Sequence, residues 1–256
     1  MSVSPVAGAT AARPARVQVL VTCLVDHFFP DTAASVVRVL ERLGVEVVVP
    51  AHQTCCGQPA RNAGARSDAI AMARHTIAVL EHDPAPVVVP SGSCADMLVH
   101  QAPLLLADDP EWARRAAALA ARTYEFSQFL VDVLGAPGIP ATASGTVAYH
   151  ACCHGLRGLG IDAQPRQLLA GVHGTTPVLL PEDDVCCGFG GLFAVKLPDI
   201  SGAMLQRKCA QIAACGASTV VVTDVSCAMH MQGGLDRQGQ PVRVRHLADV
   251  LAGSPA

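Results

Sequence analysis

The triplet Cys-Cys-Gly occurs twice, at Cys55–Cys56–Gly57 and at Cys186–Cys187–Gly188, and each copy sits inside the same wider frame of thiols. Cys23 precedes the first and Cys94 follows it; Cys153 precedes the second and Cys227 follows it, at offsets between copies of 130, 131, 131 and 133 residues. Matching frames at matching intervals mark an internal duplication. Four thiols per frame are a metal or cluster signature first, because soft thiolates select zinc and iron–sulfur clusters. A cluster is wider than one ion, so its ligands can come from distant segments, and adjacent cysteines can reach different irons where the chain bends sharply. Gly57 and Gly188 are placed to supply that bend, or a close backbone approach to inorganic sulfide. Backbone N–H groups after each pair, extended in the second copy by Gly190 and Gly191, would lower thiol pKa values. The same four thiols could instead hold a tetrahedral Zn²⁺, or act as redox-active thiols. The usual zinc pattern is two Cys-x-x-Cys knuckles, whereas this chain has Ser91-x-x-Cys94 and Asp224-x-x-Cys227.

These thiols have to be positioned by elements legible in the pattern. The N-terminal residues 1–15, rich in Ala and Pro, are expected to be disordered. Strands are expected at Val17–Thr22, Val45–Val49 and Val87–Val89, each running into a frame cysteine, with helices over Asp31–Leu43 and Ser67–His82. Pro110–Leu134 is helical by pattern, and the Gly/Pro/Ala-rich 135–145 reads as a linker. The second half repeats the order: strands at Val147–Tyr149, Pro177–Leu180, Thr219–Thr223 and Val242–Val244, and helices near Gln164–Leu169 and Ile200–Cys215. Strands alternating with helices predict an α/β fold of two tandem, pseudo-symmetric βαβ-type halves, 16–134 and 146–256, with mainly parallel sheets. The frame cysteines then fall just past strand ends, the edge where open α/β sheets bind ligands. Each half thus gathers its thiols at one rim, and the two rims face each other.

With 256 residues, 51% of them apolar, the chain can build a substantial core, mostly from Val, Leu, Ala and Ile because aromatics are only 4%. A net charge of −3 with no basic cluster points away from nucleic acid. Eleven cysteines in a long, core-rich chain do not suit a disulfide scaffold. The apolar stretch Val17–Val25 lacks a cleavage site and reads as a strand rather than a signal peptide, and no apolar run is long enough for a membrane helix. Reduced thiols in the cytoplasm are the expectation.

Several further residues carry two readings each. Cys152 is either a small buried residue or a substitute fifth thiol; Cys209 and Cys215 read as core. His150, His154, His27 and His52 could bond a sulfide or ligate a metal, or be structural. Arg157 and Lys196 could receive a small carboxylate, or be surface charges. There is no dinucleotide fingerprint: Gly188–Gly191 lacks the strand–Gly-x-Gly-x-x-Gly–helix order.

Taken together, the motifs Cys23-Leu24-Val25-Asp26-His27-Phe28-Phe29-Pro30, Gln53-Thr54-Cys55-Cys56-Gly57-Gln58-Pro59, Pro90-Ser91-Gly92-Ser93-Cys94, Thr123-Tyr124-Glu125, His154-Gly155-Leu156-Arg157-Gly158-Leu159-Gly160, Cys186-Cys187-Gly188-Phe189-Gly190-Gly191 and Asp224-x-x-Cys227 resemble the CCG cysteine-rich family. Its domain occurs in the catalytic subunit of heterodisulfide reductase and in iron–sulfur subunits of glycolate and anaerobic glycerol-3-phosphate oxidising enzymes. The chain is most similar to the lactate-utilisation branch, whose members carry two such domains, and the resemblance runs from about Val17 to Leu251.

The resemblance implies an iron–sulfur oxidoreductase subunit of a three-component cytoplasmic system that oxidises L-lactate, a small 2-hydroxy acid, to pyruvate. It implies a ferredoxin-like iron–sulfur subunit and a third, smaller subunit as partners, and clusters of the 4Fe-4S kind. The ligands would be Cys23, Cys55, Cys56 and Cys94 in one half and Cys153, Cys186, Cys187 and Cys227 in the other. In the heterodisulfide reductase type each frame ends in Cys-x-x-Cys and five thiols hold a non-cubane cluster; here Ser91 and Asp224 replace the first of those cysteines. A five-thiolate site would need substitutes, Asp224 through oxygen or Cys152 through sulfur, and Ser91 less readily. A thiol–disulfide reductase of the heterodisulfide type and a zinc-stabilised assembly module are the rival readings.

Overall fold

The computed structural model describes residues 13–136 and 138–253; most of the N-terminal stretch expected to be disordered lies outside them. Two four-stranded sheets form, one per half. The first is ordered β2-β1-β3-β4, with β1 Arg16–Val19, β2 Glu46–Val48, β3 Val87–Val89 and β4 Thr123–Glu125. The second is ordered β6-β5-β7-β8, with β5 Ala141–Tyr149, β6 Val172–Pro177, β7 Thr219–Val222 and β8 Arg243–His246. Every strand pairing is parallel. The halves are therefore a duplicated α/β unit, as the cysteine intervals predict.

The central strands β3 and β7 are short, β-branched and almost wholly buried, as parallel strands covered on both faces must be. One core is common to both halves: Val17, Val36 and Val39 pack with Phe126 and Phe129, and with Val147, Val221 and Leu251. Helix Pro30–Arg42 lies against helix Leu247–Ala252 in that core, and Thr32 Oγ1 donates to Asp249 Oδ2 at 2.8 Å across the junction. Each half has a second core on its outer face. Helix Arg66–Leu80 contributes Ala69, Ala73 and Ile77 to the first, and helix Pro198–Ala214 contributes Cys209 and Ile212 to the second.

Three elements differ from the pattern-based expectation. The run Pro110–Leu134 is not one helix: helix Pro110–Ala120 ends and β4 pairs with β3 before helix resumes at Phe126. The β-branched and aromatic Thr123-Tyr124-Glu125 fits an edge strand, and the Ala-rich run before it hid the change of period. The strand expected at Pro177–Leu180 lies earlier, at Val172–Pro177, with Val178 N donating to the Val147 carbonyl at 2.9 Å just past its end. Strand β5 begins at Ala141, inside the 135–145 stretch, and carries a register shift between Thr142 and Gly145.

Candidate metal centre

In each sheet the chain leaves the carboxyl ends of three neighbouring strands into cysteine-bearing turns. Cys23 opens a short helix after β1, Cys55–Cys56 follow β2, and Cys94 lies in helix Gly92–Asp96 after β3. Cys153, Cys186–Cys187 and Cys227 follow β5, β6 and β7 in the same way. Strand order reverses about β1 and about β5, and such switch points open a crevice at the strand ends. The two crevices face each other and merge. One cavity of about 290 Å³ is lined by all eight frame cysteines and Cys152. Within each frame the outer two thiols are half-buried, and the inner two, Cys56 with Cys94 and Cys187 with Cys227, are buried.

The turns are built by glycine. Gly57 and Gly188 have φ of +91° and +95°, a left-handed conformation that glycine adopts without strain. The close approach at these glycines is to the packed helix, not to the cavity. A Cβ on Gly188 would meet Met204 Cβ at 2.8 Å and the Ser201 carbonyl at 2.9 Å; on Gly57 the tightest contacts would be 3.2 Å. The Gly188 N–H turns back to Cys186 Sγ at 3.4 Å. The first loop is further tied by the Gln53 side chain, which accepts from Val21 N at 2.7 Å and donates to the Val19 carbonyl at 2.9 Å.

The thiols are close enough to set one another's protonation. Cys56 and Cys94 sulfurs stand 3.3 Å apart. Cys55 is held down to about 2, first by the hydrogen bond from Cys23 and then by that from Cys56. Cys186 is held at about 2 by Cys153 and then Cys187. Their donors keep their protons: Cys23 and Cys153 are pushed up by those same bonds and by burial. Cys227 is pushed up by contact with Cys152, then by Cys187 and burial. Each half thus favours a thiolate at the first cysteine of its pair, while Cys23, Cys56, Cys153, Cys187 and Cys227 are pushed up, and a bound cation would favour ionising those five. This donor set fits a thiolate-bound metal group.

The substitutes for a fifth thiol separate. Ser91 and Asp224, at equivalent positions, bond each other: Ser91 Oγ donates to Asp224 Oδ2 at 2.8 Å. The same oxygen accepts from Ser93 N at 3.0 Å, and Asp224 Oδ1 accepts from Ser226 N at 3.1 Å and Ser226 Oγ at 2.6 Å. Asp224 is therefore a clasp between the halves and the cap of helix Val225–Arg237, with both oxygens engaged although it borders the cavity. Cys152 is buried, borders the cavity and touches Cys227, so the second half has five thiols in contact where the first has four.

His150 is fully buried, and burial followed by the nearby Lys208 lowers its pKa to about 4, leaving the neutral ring. His154 borders the cavity; its Nδ1 bonds Asp96 Oδ2 at 2.9 Å, which raises the imidazole pKa. His27 and His52 are exposed and do not line the cavity. Arg157, on the Asp184 carbonyl at 2.9 Å, and Lys196 are exposed too, and among the described residues no lysine or arginine lines the cavity. Cys209 is core, as expected, and Cys215 is half-buried. Sequence reasoning missed Asp96 and the buried Lys208. Asp96 had one usable signal, its place two residues past a frame cysteine.

Comparisons with known proteins agree with this duplication. The profile of the CCG cysteine-rich domain matches twice, at residues 17–99 and 147–232. The chain is 45% identical over 236 residues to lactate utilization protein A of Exiguobacterium sp., covering 92% of this chain and 96% of that one. It is 43% identical over 236 residues to lactate utilization protein A of Bacillus cytotoxicus, covering 92% and 98%. A hypothetical protein from Helicobacter pylori shares the fold at a TM-score of 0.65 with 11% identity, over 95% of this chain and 50% of that one, so the present chain spans about half its length. With both halves matched and relatives aligned over most of its length, the chain belongs to the CCG cysteine-rich domain family, in its two-domain form.

Proposed function

We propose that the protein is an iron–sulfur oxidoreductase subunit of a cytoplasmic L-lactate utilisation system, in which lactate is converted to pyruvate. The observation that carries this reading is the convergence of eight frame thiols from two sheets on one cavity; the relatives' name, lactate utilization protein A, supplies the substrate. Cys23, Cys55, Cys56 and Cys94 would hold one group, and Cys153, Cys186, Cys187 and Cys227 the other, as 4Fe-4S-type clusters. When bound, such clusters carry electrons one at a time. The chain's own residues set the surroundings: buried thiols exclude water, the Gly188 N–H donates to Cys186 sulfur, and the Ser91–Asp224 clasp holds the two frames together.

The absence of lysine or arginine from the described cavity lining supports an electron-carrying role rather than one in gripping a carboxylate substrate. Oxidation of the 2-hydroxy acid would then involve the partners, a ferredoxin-like iron–sulfur subunit and a third subunit. No helix among the described residues is long and apolar enough to cross a membrane.

The test is chemical analysis of the full chain purified without oxygen. Iron and acid-labile sulfide bound in proportion to protein are expected, with an EPR signal on reduction. Zinc in proportion to protein with no sulfide would overturn the reading in favour of a zinc-stabilised assembly module. Disulfide reduction by metal-free protein would favour the thiol–disulfide enzyme.

A further inference from the structure

His150 follows β5 directly, is wholly buried, and has no hydrogen-bond partner on either ring nitrogen. The Asp183 carbonyl, already the acceptor of Ala151 N at 3.0 Å, gives the ring at most a weak contact that falls short of good hydrogen-bond geometry. One ring nitrogen and the sulfurs of Cys187 and Cys227 all lie within 4.8 Å of one another. A buried polar group left unpaired destabilises the fold unless something else satisfies it. The neighbours of this imidazole are thiols, weak donors and acceptors but strong metal ligands once ionised.

The fold itself does not require an imidazole here. His150 N donates to the Val221 carbonyl at 2.9 Å, just as Leu20 N donates to the Val88 carbonyl at 3.0 Å in the first half. The two positions are equivalent in backbone and differ only in side chain. Leucine satisfies the site in one half, so histidine in the other calls for a separate reason.

We propose that a ring nitrogen of His150 is a metal ligand together with Cys187 and Cys227, so that the second half binds through mixed nitrogen and sulfur and the first through sulfur alone. On a single ion such a set suits Zn²⁺; in a cluster the imidazole and the two thiolates would bind separate irons. Neutral imidazole is the ligating form, and the buried position shields the bond from water. This inference rests on the reading of the cavity as a metal centre and adds that its two halves are chemically inequivalent.

The test uses the full chain, metal-free and without oxygen, titrated with Co²⁺ as a paramagnetic probe and labelled with ring-¹⁵N histidine. A coordinated imidazole gives a hyperfine-shifted ring N–H resonance in the ¹H spectrum. The wild type should show it, the His154→Gln variant should keep it, and His150→Leu, which installs the first half's side chain, should lose it. Co²⁺ affinity of the second half should fall on the order of tenfold or more in His150→Leu. Co²⁺ bound by the wild type with no shifted imidazole resonance would overturn this inference alone, and needs no variant to fold. A resonance that survives in His150→Leu and vanishes in His154→Gln would also overturn it. Failure of the wild type to bind Co²⁺ at all would refute the metal centre and this inference with it. Parallel reconstitution with iron and sulfide, or with Zn²⁺, then separates the two metal sources.

Discussion

Cys56 of the first pair packs in a core that contains Leu20 and Ile77; at the equivalent positions in the second half stand His150 and Lys208, both buried. Thr22 in the first half gives way to Cys152 in the second, and Ser91 to Asp224. The strand order, the left-handed glycine and the shared thiolate at the first cysteine of each pair are the same in both. Duplication has kept what builds a thiol rim and changed what surrounds it. A second difference lies at the ends of β4 and β8, where Glu125 and His246 occupy equivalent places, and each caps the short helix that follows. Burial raises Glu125 to about 7 and lowers His246, so both are driven toward their neutral forms.

Substitutions can break this comparison, starting with the two glycines. Gly188→Ala would force a left-handed alanine into contacts under 3 Å and should cost about 3–4 kcal/mol, whereas Gly57→Ala, with contacts of 3.2 Å, should cost about 2. Urea unfolding of the metal-free protein measures both, and equal losses would remove the packing distinction.

Glu125 comes next. Its folded pKa lies above the unfolded value, so its contribution to stability is fully present below about 4.5 and is lost as pH rises through about 7. Glu125→Gln should flatten the fall in stability over that window, by on the order of 3 kcal/mol. His246 works in the opposite sense: its lowered value makes stability fall as pH drops below the ordinary histidine range. A stability profile unchanged by Glu125→Gln would show that the carboxyl is ionised in the fold.

The clasp between halves is unequal as well. Asp224→Ala removes four hydrogen bonds and a helix cap and should cost about 2–3 kcal/mol; Ser91→Ala removes fewer and should cost about 1. One expected effect has the opposite sign. His150→Leu should stabilise the metal-free protein by about 1–2 kcal/mol, by removing an unpaired buried group, and thermal unfolding reads it as a higher Tm.

Much of this was legible in the residues. Cysteine intervals revealed the duplication, and β-branched runs such as Val87–Val89 and Thr219–Val222 revealed the strands that carry the frames. β4 was hidden because three residues of strand type sit at the end of an Ala-rich helix, and its partner β3 is far away in sequence. The merging of two rims into one cavity was only partly legible, since it depends on how two sheets pack through the shared core. Asp224 looked like a candidate oxygen ligand by its place in the frame, but its partner Ser91 comes from the other half, and local spacing carries no trace of that bond. That the His150 ring packs against thiols and lacks a well-formed hydrogen bond depends on which distant side chains surround it, which no motif encodes.

The central claim, that each thiol frame holds its own metal group, is tested most directly by metal content after single exchanges. Iron, sulfide and zinc are measured on oxygen-free wild type, Cys56→Ser and Cys187→Ser. Each variant should lose the group of its own half and keep the other. Unchanged content in both variants would contradict the account.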